Sequence, residues 1–193
     1  MKKLITFLML LSVFGIGNVW ADDNLFNVDF TTWTTEEATI NGANTLNSNT
    51  SIVFYNASGT QSNHFSVTNG TGLNLPDNNI SSNYFMAIPL TGINSTITVT
   101  ITHEGVSGKQ VIYDYILGDG ETSYSTATAN GTHSTISDAA NGATSMTTTI
   151  NCTNASAVLY IGRHNSDAQN KTPIKSITIT TPSSGALTLA AAQ

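Results

Sequence analysis

Charge is scarce in this chain. Only 9% of its 193 residues are Asp, Glu, Lys or Arg, and just six are basic. So few lysines and arginines exclude the electrostatic footprint that nucleic-acid binding requires. They also leave no polybasic route to an anionic membrane surface. Strong helix formers such as Glu, Lys and Arg are in short supply, which removes the ordinary composition of a helical protein. Cysteine occurs once, as Cys152, so no internal disulfide can form. Cys152 lies in the strand-like "TTTINCTNAS" and reads as a small buried hydrophobe, with no nearby His and Asp in a cysteine-hydrolase pattern.

Long apolar runs are absent beyond the first residues. "MKKLITFLMLLSVFGIGNVWA" has a basic start at Lys2 and Lys3, an apolar run from Leu4 to Ile16, and a small-x-small pattern at Val19 and Ala21. That run is shorter than the roughly 20 residues of a spanning helix. Residues 1–21 are therefore predicted to be a secretory signal peptide, with no membrane span left after its removal. Export to periplasm, cell surface or medium follows. The remaining chain carries four basic and twelve acidic residues, a charge of 4 − 12 = −8.

Catalytic motifs are missing too. "HEGVS" (103–107) lacks the second His of a zinc-protease helix, and "GVSGK" (105–109) lacks the spacing of a nucleophile elbow. His64, His103, His133 and His164 are far apart in sequence. Glu36, Glu37, Asp119 and Glu121 offer carboxylates for glycoside cleavage, but nothing pairs them. The expectation is a protein that is not an enzyme.

What fills the chain is Asn, Thr, Ser and Gly, which suit strands and turns. "STITVTIT" (95–102) sets Ile97, Val99 and Ile101 against four threonines. "IKSITITT" (174–181) sets Ile177 and Ile179 against Ile174, Ser176, Thr178 and Thr180. Period two with one apolar face predicts antiparallel sheet. "VIYDYIL" (111–117) and "AVLYIG" (157–162) are apolar nearly throughout and read as central strands. Further strands are expected at 25–31, 51–55, 64–68, 84–90, 122–129 and 145–152. Turn signals separate them at "NGTG" (69–72), "LPDNN" (75–79), "GDGE" (118–121), "ANGT" (129–132) and "AANGA" (139–143). About ten short strands without an internal repeat predict an all-β antiparallel β-sandwich of jelly-roll type. It should span 22–182, followed by a linker-like tail at 183–193.

The order of features resembles a family. "FNVDFTTWT" (26–34), "STITVTITHEG" leading to "KQVIYDYILGDGE", and the late pair "TTTINCTNASAVLYIGRHNS" and "TPIKSITITTP" are similar to N-terminal β-sandwich modules of secreted Bacteroidales proteins. Many of those are attached to pectate-lyase-like or other polysaccharide-degrading domains. The resemblance implies a non-catalytic carbohydrate-binding-like module of a secreted glycan-handling system. It also implies a C-terminal catalytic domain that this sequence does not contain. A structural or adhesive cell-surface β-sandwich is the alternative, which the threonine-rich outer faces fit equally well.

Sugar recognition draws on flat aromatic faces and polar side chains. Tyr113, Tyr115, Tyr160 and Trp33 read as core, whereas Tyr84 and Tyr124 adjoin polar turns and are the expected platforms. In "VLYIGRHNSD" (158–167), Arg163 is placed just past a strand end beside His164. Its planar fork suits the carboxylate of an acidic polysaccharide such as a galacturonate polymer. The other reading is a rim arginine paired with an acid. Asn165 and Asp167 supply oxygens at alternate positions, as in a calcium loop, but Asn170 and Ser176 stand where an EF-type loop needs Gly and an acid. A calcium site at Asn165 and Asp167 and an ordinary hairpin loop both remain open.

Overall fold

The two most regular alternations become neighbours. The computed structural model describes residues 22–57, 63–120, 134–138 and 142–183. In it β8 (Thr96–His103) pairs antiparallel with β13 (Ile174–Thr181), setting Ile101 against Ile177 and Val99 against Ile179. All four are buried, while Thr96, Thr98, Thr100 and Thr102 keep partial access to water. Period-two sequence thus becomes one dry face and one wet face.

The other strands are β1 (Asp23–Asp29), β2 (Glu36–Glu37), β3 (Gly42–Asn44), β4 (Val53–Asn56), β5 (Ser66–Thr68), β6 (Gly72–Asn74), β7 (Phe85–Thr91), β9 (Ile112–Asp119), β10 (Ser134–Ser137), β11 (Ser145–Asn151) and β12 (Ser156–Arg163). A seven-stranded sheet runs β11-β8-β13-β6-β5-β2, with β1 also on β13. A six-stranded sheet runs β10-β9-β12-β7-β4-β3. Every pairing between these strands is antiparallel, and the two sheets form a jelly-roll-type sandwich. No described helix is long and apolar enough to cross a membrane.

The main core lies between the sheets. Ile97, Val99, Ile101, Ile177 and Ile179 meet Tyr113, Leu159, Ile161, Met86 and Phe54 there. Trp33 sits edge-on to Phe30 at 5.0 Å, partly buried, as expected of a core plug. Cys152 is buried, and burial, with some help from the Asp119 charge, pushes its thiol up to about 11. One face assignment needs correction. Ile174 was expected on the threonine face, but it is buried, because the ladder shifts register between Ile174 and Ser176. A bulge of this kind turns the residues before it to the opposite face.

A second, smaller apolar cluster covers the outer face of the six-stranded sheet. Phe85, Ala87, Ile116, Val158 and Tyr160 pack there with Ile80, and half-buried Val53 and Tyr55 border it. This is why "AVLYIG" and "VIYDYIL" lack alternation: β12 is buried along both faces. The short strands β2, β3, β6 and β10 have no comparable sequence pattern and were not foreseen. The strand expected at 122–129 lies outside the described residues, as do the predicted leader and nearly all of the predicted tail.

Candidate functional site

Two polar loops meet where β12 ends. One, residues 75–84, follows β6 and contains a short 3-10 turn, Ile80–Ser82, closed by Asn83 in the left-handed region at φ 63°. The other, residues 164–173, contains a second 3-10 turn, Ala168–Lys171. Gly162 allows the first loop to lie directly on the strand. A Cβ at that position would come within 2.8 Å of the Tyr84 carbonyl oxygen and 2.9 Å of Ile80 Cβ. Real Cβ contacts are not that short, so a side chain here would lift the loop.

Arg163 ties the two loops together from below. Its Nη1 donates to the Asp77 carbonyl at 2.6 Å and its Nη2 donates to the Asp167 carbonyl at 2.9 Å. The expected place for Arg163 was a loop past the strand end; it is instead the last residue of β12 and 3% exposed. Both terminal nitrogens are engaged by main chain, so the fork is not presented to a ligand carboxylate. Burial draws its pKa down, against the raising influence of Asp77 and Asp167. Asp77 also pairs with Lys171. The Lys171 hydrogen bond, with the charges of Lys171 and Arg163, holds the Asp77 carboxyl below its ordinary value despite some desolvation.

His164 is 34% exposed at its side chain, and its Nδ1 lies 2.6 Å from Asp114 Oδ1 on β9. Asn165 Oδ1 accepts from the Asp167 amide at 2.9 Å and from Asn170 Nδ2 at 2.6 Å. Asn165 Nδ2 donates to Asp167 Oδ2 at 3.0 Å. Asn170 Oδ1 in turn accepts from the Ile112 amide at 2.9 Å, anchoring the loop to β9. The structure therefore does bring Asn165 and Asp167 together. An amide oxygen with two donors has used both lone pairs, however, so a cation would have to displace one of them. Among the described residues no group of three or more His, Cys, Asp or Glu is arranged to hold a metal ion.

Between the loops opens a cleft of about 280 Å³, lined by Asp77, Asn78, Asn79, Ser82, Asn165 and Ser166. Ser82 Oγ donates to Asn79 Oδ1 at 3.1 Å, and the Asn78 amide is held by Asn63 Oδ1 at 3.2 Å. The walls thus offer three side-chain amides, two hydroxyls and a single carboxylate that is already neutralised by Lys171. Such walls can hydrogen-bond a ligand through several short polar contacts. They do not supply the paired carboxylates of glycoside cleavage.

Of the two expected aromatic platforms, Tyr84 is corrected. It is 2% exposed and packs in the main core, because loop 75–84 turns inward over β12 before entering β7. Tyr124 lies outside the described residues. Tyr55 is half-buried and stacked on Phe85 at 5.1 Å with 2° between the planes. It borders the cluster that holds Ile80, whose neighbours Asn79 and Ser82 line the cleft. Asp77, Asn78 and Asn79 carried only a turn signal in the sequence, and Ser82 carried none. Their one further cue was the glycine in an otherwise apolar strand, which marks a close backbone approach.

No protein-family model and no curated protein matches the chain. Among solved structures it is similar to the CBM35 from Cellvibrio japonicus Abf62, at 11% identity and a TM-score of 0.37, over 78% of this chain and 94% of that one. It is also similar to the BiXyn10A CBM1 in its apo form, at 10% identity and a TM-score of 0.35, over 82% of this chain and 99% of that one.

Proposed function

We propose that this chain is a non-catalytic carbohydrate-binding module of a secreted glycan-handling system, and that the cleft between loops 75–84 and 164–173 is its ligand site. The observation that carries this reading is the cleft wall: Asn78, Asn79, Asn165, Ser82 and Ser166 side by side on two loops braced by Arg163. Amides and hydroxyls as a class donate and accept, the natural complement of sugar hydroxyls; Asn165, whose Oδ1 already accepts twice, can contribute only through its amide N–H. The reading favours a neutral sugar over an acidic one. Arg163 is spent on main-chain carbonyls and Lys171 on Asp77, so among the described residues neither of these cations is left for a uronate carboxylate. Secretion rests on the leader-like residues 1–21.

Affinity electrophoresis in gels containing xylan, neutral glucan or polygalacturonate, with calcium or with chelator, tests this. A neutral polymer should retard the chain, and Asn78→Ala or Ser166→Ala should weaken the retardation roughly tenfold, the loss of one or two buried ligand hydrogen bonds. Retardation by polygalacturonate alone would reverse the assignment of ligand charge. Dependence on calcium would place a cation among the Asn165 and Asp167 oxygens.

A second reading, a structural or adhesive surface domain, is favoured by the outer face of the seven-stranded sheet. Thr100 and Thr147 hydroxyls lie 3.1 Å apart there, and those of Thr98 and Thr149 lie 3.4 Å apart. No retardation in any gel would make this the better account.

A further inference from the structure

Sheet edges are where β proteins attract strands, and they are usually blunted by shortness, charge or a bulge. Among the described residues, four edge strands follow that rule. β2 has two residues, both Glu; β3 has three; β10 has four. β1 carries Asp23 and Asp29, and its register shifts between Asn24 and Phe26. β11 does not follow it. It has seven residues, "SMTTTIN", with no charge and no proline, in unbroken register with β8 from Ser145 to Asn151. Among the described residues, no strand pairs with its other side.

The ladder shows which groups are free. The His103 amide donates to the Thr144 carbonyl, and the Cys152 amide donates to the Ser95 carbonyl. In an antiparallel pair hydrogen-bonded positions alternate. Met146, Thr148 and Ile150 therefore bond to β8, and Ser145, Thr147, Thr149 and Asn151 aim their main-chain groups at the open edge.

That edge is complementary to itself. Read in either direction from Thr148, it runs Thr, apolar, polar: Thr149, Ile150, Asn151 one way and Thr147, Met146, Ser145 the other. We propose that β11 pairs antiparallel with β11 of a second copy of this chain, about a twofold axis through Thr148. Thr147 then exchanges both main-chain hydrogen bonds with Thr149 of the other copy, and Ser145 does so with Asn151. The twofold gives about eight hydrogen bonds by the ladder rule. Facing Thr147 and Thr149 side chains extend the threonine ladder already formed with β8. Met146 meets Ile150 on the inner side, completing the core at its margin. A closed twofold also explains how an uncharged edge avoids open-ended pairing. The pairing puts two clefts on one particle, which would raise apparent affinity for a repeating polymer without any new contact.

Sedimentation velocity across a concentration series should find a species of twice the chain mass. In the double variant Thr147→Lys with Thr149→Lys, like charges face each other across the axis and the species should fall to single-chain mass. Both positions are exposed, so thermal melting should show the fold intact. The matching double variant to Glu should also be single, and an equal mixture of the two should restore the paired mass. Thr148→Cys supplies a separate readout: mild oxidation should link two copies through the axis, whereas the parent chain, whose Cys152 is buried, should not link. A single-chain mass at every concentration would overturn the proposal. So would a pair that survives both lysines, or a Thr148→Cys chain that pairs without cross-linking.

Discussion

The two sheets solve the same burial problem differently. Central strands β8 and β13 of the seven-stranded sheet bury one face and wet the other with threonine. Strand β12 of the six-stranded sheet is buried on both faces, and β9 adds Ile116 to the outer cluster. A threonine face needs no cover. An apolar outer face does, and Ile80 supplies part of it. Because Ile80 is held down on Gly162, its polar neighbours Asn79 and Ser82 are fixed at the cleft. In this molecule the second apolar cluster is what positions the candidate site.

The largest expected effect comes from breaking that cluster. Tyr160 is fully buried and edge-on to Phe85 at 5.3 Å. Tyr160→Ala should cost about 3 kcal/mol in urea unfolding, as deletions of large buried rings do. A loss below about 1 kcal/mol would mean that the outer cluster is not structural in the sense argued.

A smaller effect should appear in acid, at the contact between the sheets. His103 ends β8, is fully buried, and lies edge-on to Tyr113 of β9 at 6.3 Å. Its Nδ1 accepts from the Gly105 amide at 3.1 Å, and its Nε2 is 3.9 Å from Asp138 Oδ2. Burial lowers its pKa below 6.5, the Asp138 charge opposes that shift, and Lys175 adds to it. The unfolded chain therefore takes up this proton first. Stability from this group is complete above about pH 6.5 and drains as pH falls toward the folded value. The melting temperature should decline over that window, and His103→Gln should make the decline shallower; an equal slope in both proteins would exonerate the imidazole.

The smallest effect belongs to the wet face. Thr100→Ala removes a hydroxyl paired with Thr147 on the outer side of β8. It should cost about 0.5 kcal/mol or less in the same unfolding assay, the value of an exposed cross-strand pair. A cost near that of Tyr160→Ala would erase the distinction between the two sheets.

Much of the fold was legible because period and burial are linked locally. Ile97, Val99 and Ile101 announced their face, and the nearly continuous apolar runs of β9 and β12 announced central strands. Ile174 was misplaced because a bulge is a one-residue event with no signature beyond Lys175 itself. The site was less legible. "RHNSD" was identified as a place of interest, and Asn165 does line the cleft, yet Arg163 turned out to be a brace. Tyr84 looked like a platform only because polar residues precede it.

Composition and periodicity by themselves determined an antiparallel all-β sandwich and its inward isoleucines. These follow from neighbours two residues apart, which any strand must obey. Only the tertiary structure decided that Asp77 and Asp167, ninety residues apart, both receive the Arg163 guanidinium. It alone decided that Gly162 seats one loop against the strand that carries the other. Long-range contacts of this kind depend on which strands are adjacent in the sheet, and strand order is written in packing rather than in any local run of residues.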